Sequence, residues 1–376
     1  MSVVVLHISA NSYPPLPAVH NTFPIWQELA KGADAYHVVA RAEGWRASHT
    51  RLGNVHLHLV PSFVASQAEF LVSMWLLLWW GRRIAPTLIV AQCPVLGGIV
   101  GALLARWRRV PLFVELHGSH YFPARDRSPK GRLYQWLGRF ALARAARIRA
   151  LTRQMRDDVA LAYGDALRAR TVVIPTRVDM ALFAPVKADY ALHGPLRLTA
   201  VGAFAPVKNH LGLLEVLARA DFPFHLTLVG DGPLRGAYEA RVRELGLQAS
   251  VTLGRWLPQA ELVQVLRETD VFLHVSVAEA LPRAVLEAMA MALPVVCTDV
   301  GFVAEAVADG VSGLLVPSPV DERLLAALVR LRGAEALRAG LGGAAHATAR
   351  TRFEWHAAFD AYRAALYGLP GSPGQP

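Results

Sequence analysis

The chain has 376 residues, too many for one ordinary hydrophobic core and enough for two α/β domains. With 53% apolar and 18% charged residues it is no disordered chain. Its two cysteines, Cys93 and Cys297, sit singly in apolar runs, which excludes a disulfide framework or metal-ligand spacing and points to a reducing compartment. The net charge of +10 is uneven: residues 1–187 carry 23 Lys+Arg against 10 Asp+Glu, a net +13, and residues 188–376 a net −3. The first half is therefore expected to meet something anionic.

The opening MSVVVLHISA has no basic start and too short an apolar stretch for a signal peptide, so it reads as a buried first strand, Val3–Ile8. Further strands are predicted at His37–Ala40, His56–Val60, Thr87–Ala91, Leu112–Leu116, Arg147–Leu151 and Thr171–Ile174, with helical patterns between them. Ile84–Ala105 runs 22 residues without a charge and imitates a membrane span. Pro86 and Pro94 would break such a span, so it reads as strand, turn and a helix over Val95–Trp107. In the second half strands are predicted at Leu196–Val201, His225–Val229, Val251–Leu253, Val271–His274, Pro294–Thr298 and Gly313–Val316. Helical patterns close the chain over Glu335–Arg350 and Phe353–Tyr367, and the GLPGSPGQP tail reads as frayed. The alternation specifies two parallel sheets wrapped by helices, an α/β class of two Rossmann-like domains facing across a cleft. The domains are expected at 1–180 and 195–352, with a linker at 181–194, a final helix at 353–368 that crosses back to the first domain, and a flexible tail at 369–376.

The richest chemistry lies in Ser276-Val-Ala-Glu279-Ala280-Leu281-Pro282-Arg283-Ala-Val-Leu-Glu287. It directly follows a predicted strand, and Pro282 suits a helix start, so Arg283–Met291 should be helical. The loop at Ala280 and Leu281 and the helix start at Arg283 then present backbone N–H groups at a sheet's carboxyl edge, a site suited to a diphosphate. Glu287, one turn in, could accept two hydroxyl donors such as those of a ribose. Two carboxylates eight apart are common, and spacing alone leaves an ordinary helix equally open. Gly230 and Gly232 read as structural, allowing a tight strand-to-helix turn. His56 and His58 share a strand face and read as sheet surface rather than a metal site.

In order and spacing, several segments resemble glycosyltransferase family 4, whose members are retaining enzymes of GT-B fold. Glu279 and Glu287 match its E-x7-E motif. Val201-Gly202…Lys208 matches its glycine turn and phosphate-binding lysine. Val229-Gly-Asp-Gly-Pro-Leu-Arg235, Val251-Thr-Leu-Gly254, Asp270–Ser276, Pro294–Gly301 and Glu305…Pro317 match later strands, and Glu115-Leu-His117-Gly118 and Val173–Asp179 match the first half. The resemblance implies that Lys208 pairs with the donor diphosphate beside Gly202, Glu287 holds the ribose, Glu279 contacts the transferred sugar or its cationic anomeric carbon, and His117 faces the sugar from the first domain. Arg255 would contact the base through its backbone. No cofactor is implied beyond the nucleoside-diphosphate sugar that serves as donor, and no Asp-x-Asp is present to hold a diphosphate through a metal.

The sequence departs from the family at Ala203, where an arginine is usual, so Arg283 or an arginine of the first half would have to replace it. The loop Asn11–Asn21 lacks the usual glycines, Arg177 replaces a glycine, and Ala280 and Ala292 stand where glycines are common. The expected activity is retaining transfer of a hexosyl-type sugar to a glycan or lipid-linked hydroxyl, in cell-surface polysaccharide or glycolipid synthesis. The alternatives are a sugar-nucleotide epimerase or a non-catalytic nucleotide-sugar-binding module. An Arg-rich stretch over 125–156 and the apolar helix Phe70–Trp80, followed by Arg82 and Arg83, suit either an anionic membrane surface or ordinary solvated and buried helices. A cytoplasmic protein, peripheral on the inner face of the plasma membrane, is expected, with no nucleic-acid partner.

Overall fold

A computed structural model of the chain describes residues 2–15, 22–62, 67–118, 121–123, 126–184 and 186–369; among 67–71 and at 73 and 74 only the backbone is described. The chain divides into two compact units, Met1–Ile174 with Phe359–Pro376, and Pro175–Ala358.

The first unit contains β1 (Val4–Tyr13), α1 (Phe23–Ala30), β2 (Ala35–Ala42), β3 (Ser48–Leu52), β4 (Val55–Val60), α2 (Gln67–Gly81), β5 (Leu88–Ala91), α3 (Leu96–Arg108), β6 (Leu112–Glu115), α4 (Pro129–Arg144), β7 (Arg147–Ala150), α5 (Arg153–Tyr163), α6 (Asp165–Arg170) and β8 (Thr171–Val173). Its sheet runs β3-β4-β2-β1-β5-β6-β7-β8, parallel except for β3. The strands β5 and β6 are buried along their whole length, which is why they read as unbroken apolar runs.

Two features differ from expectation. The polar strand β3 (SHTRL) has no apolar alternation to announce it; it pairs antiparallel with β4 through the two-residue turn Gly53-Asn54, where Gly53 has φ 62°. The first strand does not stop at Ile8. After a register shift between Ile8 and Ser12 it continues to Tyr13, pairing Ser12 with Arg41, so the start of the expected loop, Asn11–Tyr13, is strand. Residues 16–21 of that loop, Arg125 of the basic stretch and 370–376 of the tail lie outside the described residues. His56 and His58 are joined on their face by His37 and His49, with His49 and His58 stacked at 4.4 Å and His37 and His56 at 4.5 Å between ring centroids. No cluster of three or more His, Cys, Asp or Glu arranged to hold a metal ion occurs among the described residues.

The second unit contains β9 (Leu196–Val201), α7 (His210–Leu217), β10 (Phe224–Val229), α8 (Arg235–Glu244), β11 (Val251–Leu253), α9 (Gln259–Arg267), β12 (Val271–His274), α10 (Arg283–Ala290), β13 (Val295–Thr298), β14 (Leu314–Val316), α11 (Glu322–Gly333) and α12 (Glu335–Arg352). All six strands are parallel in the order β11-β10-β9-β12-β13-β14. The strand order reverses between β9 and β12, and in an open α/β sheet the carboxyl ends of such neighbours leave a crevice. Residues 179–195 pack on this unit: Lys187 Nζ lies 3.3 Å from Asp270 Oδ1, and Tyr190 OH donates to the Ala292 carbonyl at 2.8 Å.

The last helix, α13 (Trp355–Tyr367), begins in the second unit and returns the chain to the first at Phe359. There Tyr362 OH donates to Glu115 at 2.5 Å, Tyr367 OH to the Leu29 carbonyl at 2.5 Å, and Arg363 pairs with Glu28 at 3.1 Å. Among the described residues no helix is long and apolar enough to cross a membrane.

Candidate active site

The crevice between β9 and β12 brings together Lys208 and Glu279, with Glu287 on the helix that follows. After β9 the chain turns at Gly202, and a short helical turn, Pro206–Lys208, delivers Lys208. A Cβ on Gly202 would lie 3.2–3.3 Å from the Lys208 methylenes, so the lysine stem lies against this glycine. After β12 the loop passes Ser276 and Val277, whose N–H donates to the Val207 carbonyl at 2.9 Å and ties the two loops together. Lys208 Nζ forms a close ion pair with Glu279 Oε1, an atom that also accepts from Ser276 Oγ at 2.9 Å. His274, which ends β12, brings Nε2 to 3.2 Å from the same oxygen.

Burial alone would raise the Glu279 pKa. The His274 ring and the Lys208 ammonium outweigh that effect and bring it down to about 2, so this carboxylate is ionised at neutral pH. His274 is the residue that the sequence reading missed. Its signal was a polar side chain closing an otherwise apolar strand.

Helix α10 starts directly behind Glu279. Pro282 occupies the N-cap and no side chain caps the first turn, while Val285, Leu286 and Met289 are buried. Burial of those three, at roughly 1.5–3 kcal/mol each, holds the helix against the sheet with its N-terminus at the crevice. Glu287 is carried into the buried face with them. Burial raises its pKa, opposed by Gln259, which donates to its Oε1 at 2.9 Å, and by the charge of Arg283. Arg283 itself is exposed at the first helical position. The two carboxylates thus sit in opposite electrostatic settings, a pattern that separates their roles. Gln259, at the start of α9, had no sequence signal.

The backbone around the crevice depends on glycines. Gly230 and Gly232 pass close to neighbouring backbone: a Cβ on Gly230 would sit 2.0 Å from the Gly202 carbonyl, and one on Gly232 2.7 Å from that of Phe204. Gly301 has φ 59°, and its Cβ would sit 1.7 Å from the Glu279 carbonyl. Gly301→Ala is therefore expected to destabilise the second unit by at least the roughly 1–2 kcal/mol of a left-handed residue and to displace the Glu279 loop. Urea unfolding and nucleotide titration of this variant check both effects.

Arg255 is exposed and turns its guanidinium to Glu261 Oε2 at 2.5 Å. Ala280 is half-buried and Leu281 buried in the loop. At Ala203 the missing arginine is not replaced by Arg235, which is engaged with the Gly254 carbonyl at 2.6 Å and with Asp231 at 3.1 Å. In the first unit His117 follows β6 with 39% of its side chain exposed, its Nε2 3.4 Å from Glu115 Oε2.

Comparison with known proteins gives this geometry a context. Residues 187–345 match the family described as glycosyl transferases group 1, and residues 22–177 match the glycosyl transferase 4-like domain. D-inositol 3-phosphate glycosyltransferase 1 of Catenulispora acidiphila is 30% identical over 310 residues, covering 74% of this chain and 72% of that protein. The chain belongs to the glycosyl transferases group 1 family. D-inositol 3-phosphate glycosyltransferase of Segniliparus rotundus is 36% identical over 215 residues, but these are 52% of this chain and 47% of that protein, so the match spans about half the length of that relative. Among solved structures, Anabaena HepE in complex with UDP-glucose superposes with a TM-score of 0.78 at 20% identity, covering 97% of this chain and 100% of that one. At that identity the likeness shows the fold, the two-domain GT-B architecture expected from the sequence.

Proposed function

We propose that the chain transfers a sugar from a nucleoside-diphosphate sugar to a hydroxyl of a glycan or lipid-linked acceptor, with retention of anomeric configuration. The observation that carries this reading is the convergence of Lys208, Glu279 and His274 on one point at the N-terminus of α10, with Glu287 one turn further in. The donor diphosphate takes over the Lys208 ammonium and the free N–H groups of Leu281, Arg283 and the first turn. Glu287 accepts the ribose hydroxyls. As the bond from the anomeric carbon to the β-phosphate oxygen breaks, the electron pair leaves with the diphosphate, and Lys208 and the helix terminus stabilise it without a metal ion. The ionised Glu279 stabilises the cationic anomeric carbon. The acceptor oxygen attacks the face that the nucleotide leaves and passes its proton to the departing diphosphate. His117, in the first unit, is proposed to contact a hydroxyl of the transferred sugar, as the resemblance implies. The UDP-glucose complex of the HepE relative supports a nucleotide-sugar donor, and relatives such as the amylovoran biosynthesis glycosyltransferase AmsK of Erwinia amylovora support a role in polysaccharide or glycolipid synthesis.

A thermal-shift screen with UDP, GDP, ADP and their sugars tests this reading. A nucleotide present at a hundred times its Kd stabilises the folded protein by about 2.7 kcal/mol. Glu287→Ala is expected to abolish the shift that the preferred nucleotide gives. A wild-type protein that responds to none of them, or a Glu287→Ala variant that responds equally, contradicts the proposal.

The acceptor side is proposed to meet an anionic membrane. From Phe70 to Val114 the chain carries Arg82, Arg83, Arg106, Arg108 and Arg109 and no acidic residue. On adjacent helices α2 and α3 the side chains of Val72, Trp75, Leu103 and Trp107 are exposed, and Arg83 and Arg108 lie 3.5 and 4.3 Å over the rings of Trp79 and Trp107. Helix α4 adds Leu133 and Trp136. Aromatic and basic residues together suit an interface where apolar rings enter the lipid and cations meet headgroups. The protein is expected to pellet with acidic-lipid vesicles at low salt and less at high salt. No pelleting at low salt removes this part of the proposal.

A further inference from the structure

We propose that Glu115 is a positioning residue that holds the His117 imidazole through its Nε2–H, fixing the tautomer in which Nδ1 accepts from a substrate hydroxyl; this rests on the role given to His117 above. Glu115 ends β6, and His117 lies two residues on in the loop that follows, with its ring turned back to the carboxylate. The carboxylate of Glu115 is 5% exposed and divided in function. Its Oε1 accepts from Arg149 Nη1 at 2.7 Å and from Tyr362 OH at 2.5 Å, whereas Oε2 faces His117 Nε2 at 3.4 Å.

Both donors are themselves held. Arg149 is buried on β7, donates from Nε to the Ile174 carbonyl at 2.9 Å, and stacks 4.8 Å from the Tyr362 ring. Tyr362 belongs to α13, so the returning helix takes part in orienting the carboxylate. A purely structural Arg–Glu pair would be complete with a bidentate guanidinium fork. Here both donors use one oxygen and the second is left for His117. A carboxylate only accepts hydrogen bonds, so the ring nitrogen facing it carries the proton. A neutral imidazole with one N–H has its other nitrogen as an acceptor, and its tautomer is set by this kind of contact. Burial would raise the Glu115 pKa, but the His117 ring N–H and the Arg149 guanidinium hold it well below the usual carboxylate range, so it stays an acceptor throughout the working pH range.

Glu115→Gln tests the inference. The amide can keep its oxygen on Arg149 and Tyr362 and turn its NH2 toward His117, which reverses the preferred tautomer. The ring nitrogens of 15N-histidine-labelled protein are read by NMR without nucleotide, and the His117 signals are identified by their loss in His117→Gln. The expected result is Nε2–H in the wild type and Nδ1–H in Glu115→Gln, with kcat lowered at least tenfold and the donor KM within twofold. The same tautomer in both proteins, or an unchanged kcat, overturns the proposal. Should Glu115→Gln fail to fold by circular dichroism, Tyr362→Phe keeps the carboxylate and Arg149. It is expected to retain Nε2–H, broaden the His117 signals and lower kcat about threefold, and wild-type spectra and kcat in it overturn the proposal. Because the tautomer is read without substrate, correct tautomers in a protein that transfers no sugar would refute the proposed function and leave the positioning intact.

Discussion

Lys208→Ala lowers kcat/KM for sugar transfer by about a hundredfold to a thousandfold, the range found when one preorganised donor to a developing anion is removed. Among the described residues Lys208 is the one Lys or Arg ion-paired with the Glu279 carboxylate, and Arg235 is committed to carbonyls and Asp231. With Ala203 in place of the usual arginine, Lys208 is expected to carry more of the diphosphate charge. Affinity for the bare nucleoside diphosphate falls with it, and Lys208→Arg recovers part of both. Stability provides an independent check. The Glu279 carboxyl titrates at about 2 in the fold against 4.5 ordinarily, and its lowered pKa contributes stability that is full above 4.5 and is lost as the pH falls through about 2. Lys208→Ala gives up part of that contribution. Urea midpoints of the two proteins should therefore differ at neutral pH and converge toward pH 2. Equal turnover in wild type and Lys208→Ala removes the lysine from the mechanism.

Glu279→Gln separates the sugar from the nucleotide. The change conserves shape and the acceptor for Ser276, but removes the negative charge proposed to stabilise the anomeric carbon. The kcat is expected to fall about a hundredfold or more. Affinity for the bare nucleoside diphosphate is expected to rise, because Lys208 no longer has to leave a carboxylate before meeting the phosphates. Steady-state kinetics and calorimetric titration of the same preparation give both values. A loss of diphosphate affinity equal to the loss in kcat would assign Glu279 to nucleotide binding instead.

The strands of the second unit were legible in detail: the buried β12 and the mostly apolar β9 and short β11 have the bounds that their composition implies. The first unit was less legible at its edges. The strand β3 is polar and defined by pairing with β4, and the extension of β1 past Ile8 depends on a register shift that no local pattern encodes. At the candidate site, order along the chain named Lys208, Glu279 and Glu287. That Lys208 and Glu279 are ion-paired and that His274 approaches the same oxygen follow from β9 and β12 being neighbours across a reversal of strand order, which no local pattern encodes. Gln259 reaches Glu287 from α9, 28 positions away, for the same reason.

A crystal structure of the protein with the nucleoside diphosphate selected by thermal shift tests the central claim most directly. The account predicts phosphate oxygens within hydrogen-bond distance of Lys208 Nζ and of the backbone N–H groups that open α10, with the ribose on Glu287. Density for the diphosphate at any other edge of the second sheet, with the Lys208–Glu279 pair undisturbed, would contradict it.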